Sequence, residues 1–175
     1  MKKIIIIGSP GAGKSFFAKK LNIITKIPLY HLDMIYFKKD GTHISRKKLK
    51  KELRNIFKEK EWIIDGNYQK TLEYRLQECD TAFLLDFSTD VCISGVENRI
   101  GKERDDLPWV EKDDQEFKNY IINFSKEKLP QIYKLLKKYR RKKNIFIFKT
   151  RADADDFIKV FGDTFQTNDK NTKKC

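Results

Sequence analysis

The stretch KKIIIIGSPGAGKSFF, residues 2–17, decides the fold. Ile4 to Ile7 form a β-branched run that stops at Gly8, the pattern of a strand buried on both faces. Residues Gly8-Ser9-Pro10-Gly11-Ala12-Gly13-Lys14-Ser15 then satisfy G-x-x-x-x-G-K-[ST] at every position. Glycines let the backbone curl so that successive N–H groups converge on phosphate oxygens. A helix beginning near Lys14 adds the positive end of its dipole. Together these features predict a nucleoside triphosphate held by Gly8, Pro10, Gly11, Ala12, Gly13, Lys14, Ser15 and Phe16. In that arrangement Lys14 meets the β- and γ-phosphates and the Ser15 hydroxyl is a ligand for Mg2+.

Outward from this loop, strands and helices alternate. Phe16, Phe17, Leu21 and Ile24 recur at helical spacing over 14–24. IPLYHLD (27–33) reads as a second strand ending at Asp33, and EWIIDGN (61–67) as a third with a glycine turn. TAFLLDF (81–87) reads as a fourth and NIFIFKT (144–150) as a fifth. Between them, Ser45 caps a helix to about Lys58 whose apolar face is Leu49, Leu53, Ile56 and Phe57. TLEYRLQEC (71–79) is a short helix, and Ser88 caps the helix that follows the fourth strand. Two helical stretches fill about 114–141, and a last helix spans 152–161. This alternation specifies an α/β fold: a parallel sheet covered on both faces, joined by right-handed crossovers. The domain runs over 1–162, with an insertion at 33–60 on the acceptor side and a charged, aperiodic lid at 100–116. A polar tail occupies 163–175 and is expected to fray.

Ligands of such sheets lie at the carboxyl ends of the strands, which draws attention to Asp33, Asp65 and Asp86. Asp65 and Asp86 both end apolar strands and either suits magnesium; Asp65 is preferred because Gly66 follows it. Asp33 faces the acceptor. It either receives the proton of an acceptor hydroxyl or only positions an acceptor phosphate. His31, two residues earlier on the same strand face, reads as a packing residue. Arg99, Lys102 and Arg104 border the charged segment, where guanidinium planes can clamp γ-phosphate oxygens. A GTPase would show Asn-Lys-x-Asp, and none occurs. Transfer of a phosphoryl group is therefore a better reading than switching.

Lys plus Arg number 38 and Asp plus Glu 25 in 175 residues, a net charge of +13 that favours anionic partners. The basic runs KKLKKELR (47–54) and KLLKKYRRKK (134–143) fall on helices whose leucines and tyrosine form the buried stripe. Sequence-specific nucleic-acid recognition is not expected; salt-sensitive, nonspecific association is compatible with the charge. Cys79, Cys92 and Cys175 show no metal-ligand spacing. Cys79 and Cys92 read as small core residues and Cys175 as exposed, as in a reducing cytoplasm. No run approaches the roughly 18 apolar residues of a membrane span, so a cytoplasmic protein without a membrane partner is expected. The oligomeric state is not legible.

The blocks IIIIGSPGAGKS, YHLD, WIIDGNYQKTL, CDTAFLLDF and GKERDDLP…EFKNYIINF resemble, in order, those of the bacterial topology-modulation (FlaR-type) proteins, which are related to adenylate kinases. The resemblance covers about residues 2–158. It implies a three-layer P-loop fold with a five-stranded parallel sheet in the order 2-3-1-4-5 and a small lid. It also implies use of ATP and Mg2+ by a small-molecule kinase acting on a nucleotide-like acceptor. Asp65-Gly66-Asn67-Tyr68-Gln69 resembles the DGFPR block of the superfamily, in which the Asp organises magnesium and the Arg grips the acceptor's phosphate. Gly66, Asn67, Tyr68 and Lys70 are thereby implicated on the acceptor side, with Gln69 in place of that Arg. The superfamily's adenine-packing arginine falls at Gly95, a second departure. Arg99 matches a phosphate-directed arginine, and Arg151 lies where the adenine-contacting loop begins. The alternative function is a regulatory, nucleotide-binding P-loop protein with nonspecific DNA association and little transfer.

Overall fold

In the computed structural model, residues 1–172 are described, with side chains through Phe165. Five strands form one parallel sheet: β1 (Lys3–Gly8), β2 (Leu29–His31), β3 (Trp62–Asp65), β4 (Thr81–Leu85) and β5 (Asn144–Phe148). The spatial order is β2-β3-β1-β4-β5, as expected. β1 lies at the centre, with Ile6 opposite Asp65 on one side and opposite Phe83 on the other.

The isoleucine run explains the layering. Alternate residues of a strand point to opposite faces, so Ile4 and Ile6 join one core and Ile5 and Ile7 the other; all four are inaccessible to solvent. The first core is closed by α1 (Lys14–Thr25), α5 (Thr89–Glu97) and α8 (Arg151–Thr172) through Phe17, Leu21, Cys92, Val96, Ala154 and Ile158. The second is closed by α2 (Leu32–Tyr36), α3 (Arg46–Phe57), α4 (Gln69–Glu78) and α7 (Leu129–Tyr139). Between α5 and α7, α6 (Gln115–Glu127) serves both, giving Ile121 to the first core and Phe124 to the second. Burying about 25 cal/mol per Å² of apolar surface on both sides of β1 makes that strand the fixed reference for the loop that follows it.

Local signals account for the helix ends. Ser45 accepts from the Lys48 amide at 3.2 Å, and Asp114 accepts from the amides of Glu116 and Phe117. Ser88 occupies the cap position of α5 but makes no side-chain capping bond. Several boundaries differ from the sequence reading, among them the following three. β2 stops at His31, so Asp33 lies in the first turn of α2 rather than at a strand end. β5 stops at Phe148, two residues before Thr150. α8 continues past Gly162 to Thr172 instead of ending at Phe161. Gly162 is a point of contact with α1, where a Cβ would stand 3.4 Å from Ile24, so it does not stop the helix. Cys79 and Cys92 are buried free thiols; Cys175 lies outside the described residues. No helix among the described residues is long and apolar enough to cross a membrane.

Candidate functional site

At the carboxyl end of β1, the loop 9–13 turns into α1. Helix α5 presses against this loop so closely that a Cβ on Gly11 would stand 1.8 Å from the Cys92 carbonyl oxygen, and one on Gly95 would stand 2.2 Å from the Gly11 carbonyl oxygen. Both positions must be glycine for the two backbones to meet. Arg151 reaches the same place: its Nη2 would lie 3.0 Å from a Gly95 Cβ. A side chain at 95 is therefore sterically excluded, and Arg151 supplies the guanidinium near that spot from the start of α8.

One cavity of about 1140 Å³ opens over the loop. Pro10, Gly11, Ala12, Gly13, Lys14, Ser15, Phe16 and Arg151 line it, together with Asp33, Asp65, Gly66, Asn67 and Tyr68. Arg99 and Arg104 line it from the charged segment. Two expected residues are not on the wall. Gly8 faces the sheet, where a Cβ would stand 2.4 Å from the Leu85 carbonyl oxygen, so its glycine serves strand packing. Lys70 is solvent-exposed at the start of α4. Phe16 is 63% exposed, and the Lys20 ammonium lies 4.4 Å from its ring centre.

Lys14 donates to the Ser9 carbonyl at 3.0 Å. Burial lowers its pKa, and the nearby Asp65 and Asp33 carboxylates act in the opposite direction. Its ammonium thus stands where added negative charge has most to gain. Ser15 Oγ donates to Asp65 Oδ2 at 2.6 Å. Asp65 Oδ1 has no hydrogen-bond partner although the residue is 4% exposed. A hydroxyl, a carboxylate and an unsatisfied buried oxygen form an oxygen-donor set that fits Mg2+. Asp86, the other magnesium candidate, points elsewhere: it accepts from Tyr133 at 2.5 Å and pairs with Lys149, and it is not on the cavity wall.

Elsewhere on the cavity wall, Asp33 Oδ1 accepts from the Tyr68 hydroxyl at 2.7 Å. Burial raises the Asp33 pKa, against the pull of Tyr68 and Lys14, while the neighbouring Asp65 and Asp106 charges push it further up. Burial and the Asp33 carboxylate likewise push the Tyr68 phenol up, so it stays a donor. Phe37, one residue past α2, meets Trp109 edge-on at 4.7 Å between ring centres, and Asn67 Oδ1 is buried without a partner. Gln69 donates to the Lys128 carbonyl and to Gln131, a tie from α4 to α7.

The segment 101–114 has no regular structure and is closed by the Gly101 amide donating to the Glu111 carbonyl at 2.9 Å. Its arginines are not free. Arg99 Nη2 donates to Glu111 Oε1 at 2.8 Å, while its Nε stands 2.6 Å from Oε2 as an ion-pair contact outside hydrogen-bond alignment. Arg104 donates to Asp106 Oδ1 at 2.9 Å and to Glu111 Oε2 at 2.8 Å, with a further contact to Asp106 Oδ2. Burial works against the Arg104 charge, but Asp106 and Glu111 outweigh it and raise its pKa. Burial and the Arg104 charge lower that of Arg99.

One residue takes a different part from its sequence reading, and another is absent from that reading. His31 Nδ1 lies 3.0 Å from Asp65 Oδ2, so it is not merely a packing residue. Arg75 is fully buried, and its guanidinium donates to the Gly66 carbonyl at 2.7 Å and the Tyr68 carbonyl at 3.1 Å. It fixes the turn that carries Asn67 and Tyr68. Burial draws its pKa down to about 10, which leaves it charged at neutral pH. The signal was present in TLEYRLQEC: Arg75 sits on the stripe of Leu72, Leu76 and Cys79, where a charge requires buried acceptors.

No family model matches the chain. An adenylate kinase of Thermotoga petrophila is 32% identical over 88 residues, 49% of this chain and 39% of that protein. The matched stretch thus spans about two fifths of the curated relative's length. Among solved structures, shikimate kinase from Acinetobacter baumannii in complex with shikimate superposes with a TM-score of 0.60 and 14% identity, over 96% of this chain and 94% of that one. Deoxyadenosine kinase from M. mycoides, with dCMP and dCDP bound, gives a TM-score of 0.53 and 15% identity over 94% and 98%. These likenesses carry the architecture, that of small P-loop kinases.

Proposed function

We propose that this chain is an ATP- and Mg2+-dependent kinase that phosphorylates a hydroxyl on a small, neutral, nucleoside-like acceptor. The observation that carries the reading is the shared cavity: Lys14 and Ser15 line it together with Asp33, Phe37, Tyr68 and Trp109. A volume of about 1140 Å³ exceeds the roughly 300–1,000 Å³ of most single-ligand pockets and suits two substrates side by side. An acceptor phosphate would call for a free cation on this side. Gln69 stands where one would be, and it is occupied in tying two helices together. Aromatic rings, an unpartnered Asn67 oxygen and one carboxylate suit a ring with a hydroxyl instead.

In this mechanism the loop amides and Lys14 bind the β- and γ-phosphates of ATP and meet the charge that develops on them. Ser15 and Asp65 would hold Mg2+, which supplies charge neutralisation at the phosphates when bound. The Tyr68 hydroxyl fixes the Asp33 carboxylate, and Asp33 receives the proton of the acceptor hydroxyl as that oxygen attacks the γ-phosphorus. The bond from the γ-phosphorus to the β,γ-bridging oxygen breaks, and ADP leaves. Arg99 and Arg104 exchange Glu111 and Asp106 for phosphoryl oxygens, and the segment 101–114 excludes water from the transfer. Arg151, near Gly95, packs on the base of ATP.

A transfer screen with ATP labelled at the γ-phosphate tests the proposal against nucleosides, nucleoside monophosphates, sugars and small hydroxy acids. Labelled product from one hydroxyl acceptor, well above the rate of hydrolysis, is expected. Hydrolysis alone across the panel would overturn the reading in favour of a regulatory nucleotide-binding protein. Transfer confined to monophosphates would overturn the acceptor class.

A further inference from the structure

His31, Asp65 and Asp106 each offer one ligand atom, and these atoms all lie within 4.8 Å of one another. They come from three separate parts of the chain: the end of β2, the end of β3 and the irregular segment 101–114. Asp65 and Asp106 are each 4% exposed. Asp65 Oδ2 already receives Ser15 Oγ at 2.6 Å and stands 3.0 Å from His31 Nδ1. Its other oxygen, Oδ1, has no partner at all. Two carboxylates are thus buried side by side, Asp33 adds a third negative charge to their field, and one oxygen is left unsatisfied. An unpaired buried carboxylate oxygen is costly, and a cation is the group that would satisfy it.

We propose that the protein binds one divalent cation here without nucleotide, through His31 Nδ1 and the carboxylates of Asp65 and Asp106. Ligands at about 2.1 Å from a metal lie at most about 4.2 Å apart. The cluster therefore closes on an ion with an inward movement of about half an ångström, which the irregular segment carrying Asp106 accommodates. One imidazole and two carboxylates favour Mn2+, Co2+ or Zn2+, whereas Mg2+ prefers oxygen ligands and retains its water. The site therefore prefers a transition-type ion to Mg2+.

A second consequence follows from Asp106. Its carboxylate and that of Glu111 are the two partners that hold Arg104. An ion that draws on the Asp106 oxygens weakens one of these two pairs and leaves Arg104, which lines the cavity, held by Glu111 alone. The ion site itself does not depend on phosphoryl transfer; only the use made of Arg104 rests on the kinase reading.

The test is a titration of the untagged, nucleotide-free protein with Mn2+, following the loss of the free-ion electron paramagnetic resonance signal. One Mn2+ per chain is expected, bound at least about tenfold more tightly than competing Mg2+, with a nitrogen hyperfine coupling from the imidazole in pulsed spectra. His31→Ala should abolish that coupling, and His31→Ala and Asp106→Asn should each weaken binding about tenfold or more. Absence of stoichiometric uptake would overturn the proposal. So would bound Mn2+ without nitrogen coupling in the unaltered protein, a readout that needs no variant to fold. Because no step requires ATP or acceptor, failure here leaves the transfer screen unaffected, and failure of the screen leaves this site standing.

Discussion

The glycine-rich loop and the proposed acceptor side line one cavity, and they are built in opposite ways. The motif is eight consecutive residues that run from the end of a buried strand into a helix, and its shape comes from the local backbone and from α5 pressed against it. The acceptor side is assembled from α2, the turn after β3 and the segment 101–114, tied by Tyr68, Arg75 and the Phe37–Trp109 contact. The first is a fixed cradle that needs its glycines. The second is a set of side chains held by other side chains, several of which must exchange partners when substrates arrive. A contiguous site fails by losing one charge. A composite site fails by degrees, and its pH dependence reports how its parts are coupled.

The largest effect is expected on the loop. Lys14→Ala should lower turnover on the order of 10³-fold or more, since no other ammonium takes its place on the phosphates; steady-state kinetics with the acceptor from the transfer screen measures it. Asp33→Asn should lower kcat roughly 10²-fold by removing the proton acceptor, with nucleotide affinity nearly unchanged by calorimetry. A loss of equal size in ATP affinity would break the division between the two sides. The same substitution should raise the thermal midpoint at neutral pH. Burial lifts the folded Asp33 pKa above the unfolded value. The native chain therefore holds this proton more tightly, and stability from this group is lost as pH rises from the unfolded value through the folded one. Asn removes that loss, so the gain should be present at neutral pH and vanish in acid.

Gly95→Ala sharpens the comparison from the other direction. A methyl group 2.2 Å from the Gly11 carbonyl oxygen must displace the loop, and ATP affinity should fall about tenfold with the fold retained by circular dichroism. Glu111→Gln should have the smallest effect and the opposite sign. With one charge removed from Arg99 and Arg104, Mg·ATP should bind two- to fivefold more tightly, the scale of a partly exposed ion pair.

Much of this was legible before the structure. Five strands, their order and the two-faced burial of Ile4 to Ile7 came from pattern and resemblance, because a buried central strand leaves an unambiguous apolar run. The loop was legible because its chemistry is contiguous. Asp65 is preferred to Asp86 in the sequence because Gly66 follows it; in the structure Asp65 also stands beside Ser15, whereas Asp86 lies one residue past β4 and is claimed by Tyr133 and Lys149. Asp33 was placed at a strand end because YHLD alternates like one, yet the sheet edge releases the chain at His31 and a short helix begins. The pairings Arg99–Glu111, Arg104–Asp106 and His31–Asp65 were not legible. Each depends on where an irregular segment or a strand end falls in space, and no periodicity encodes it.

The central claim is that Asp33 takes a hydroxyl proton across the cavity from a fixed phosphate cradle. Its most direct test is the pH dependence of single-turnover transfer in the unaltered protein and in Asp33→Asn. The account predicts a rate that falls in acid with a midpoint above that of an ordinary carboxylate, since the base works ionised and burial raises its pKa. That acid limb should be missing from the variant's residual rate. An identical limb in both proteins would contradict it.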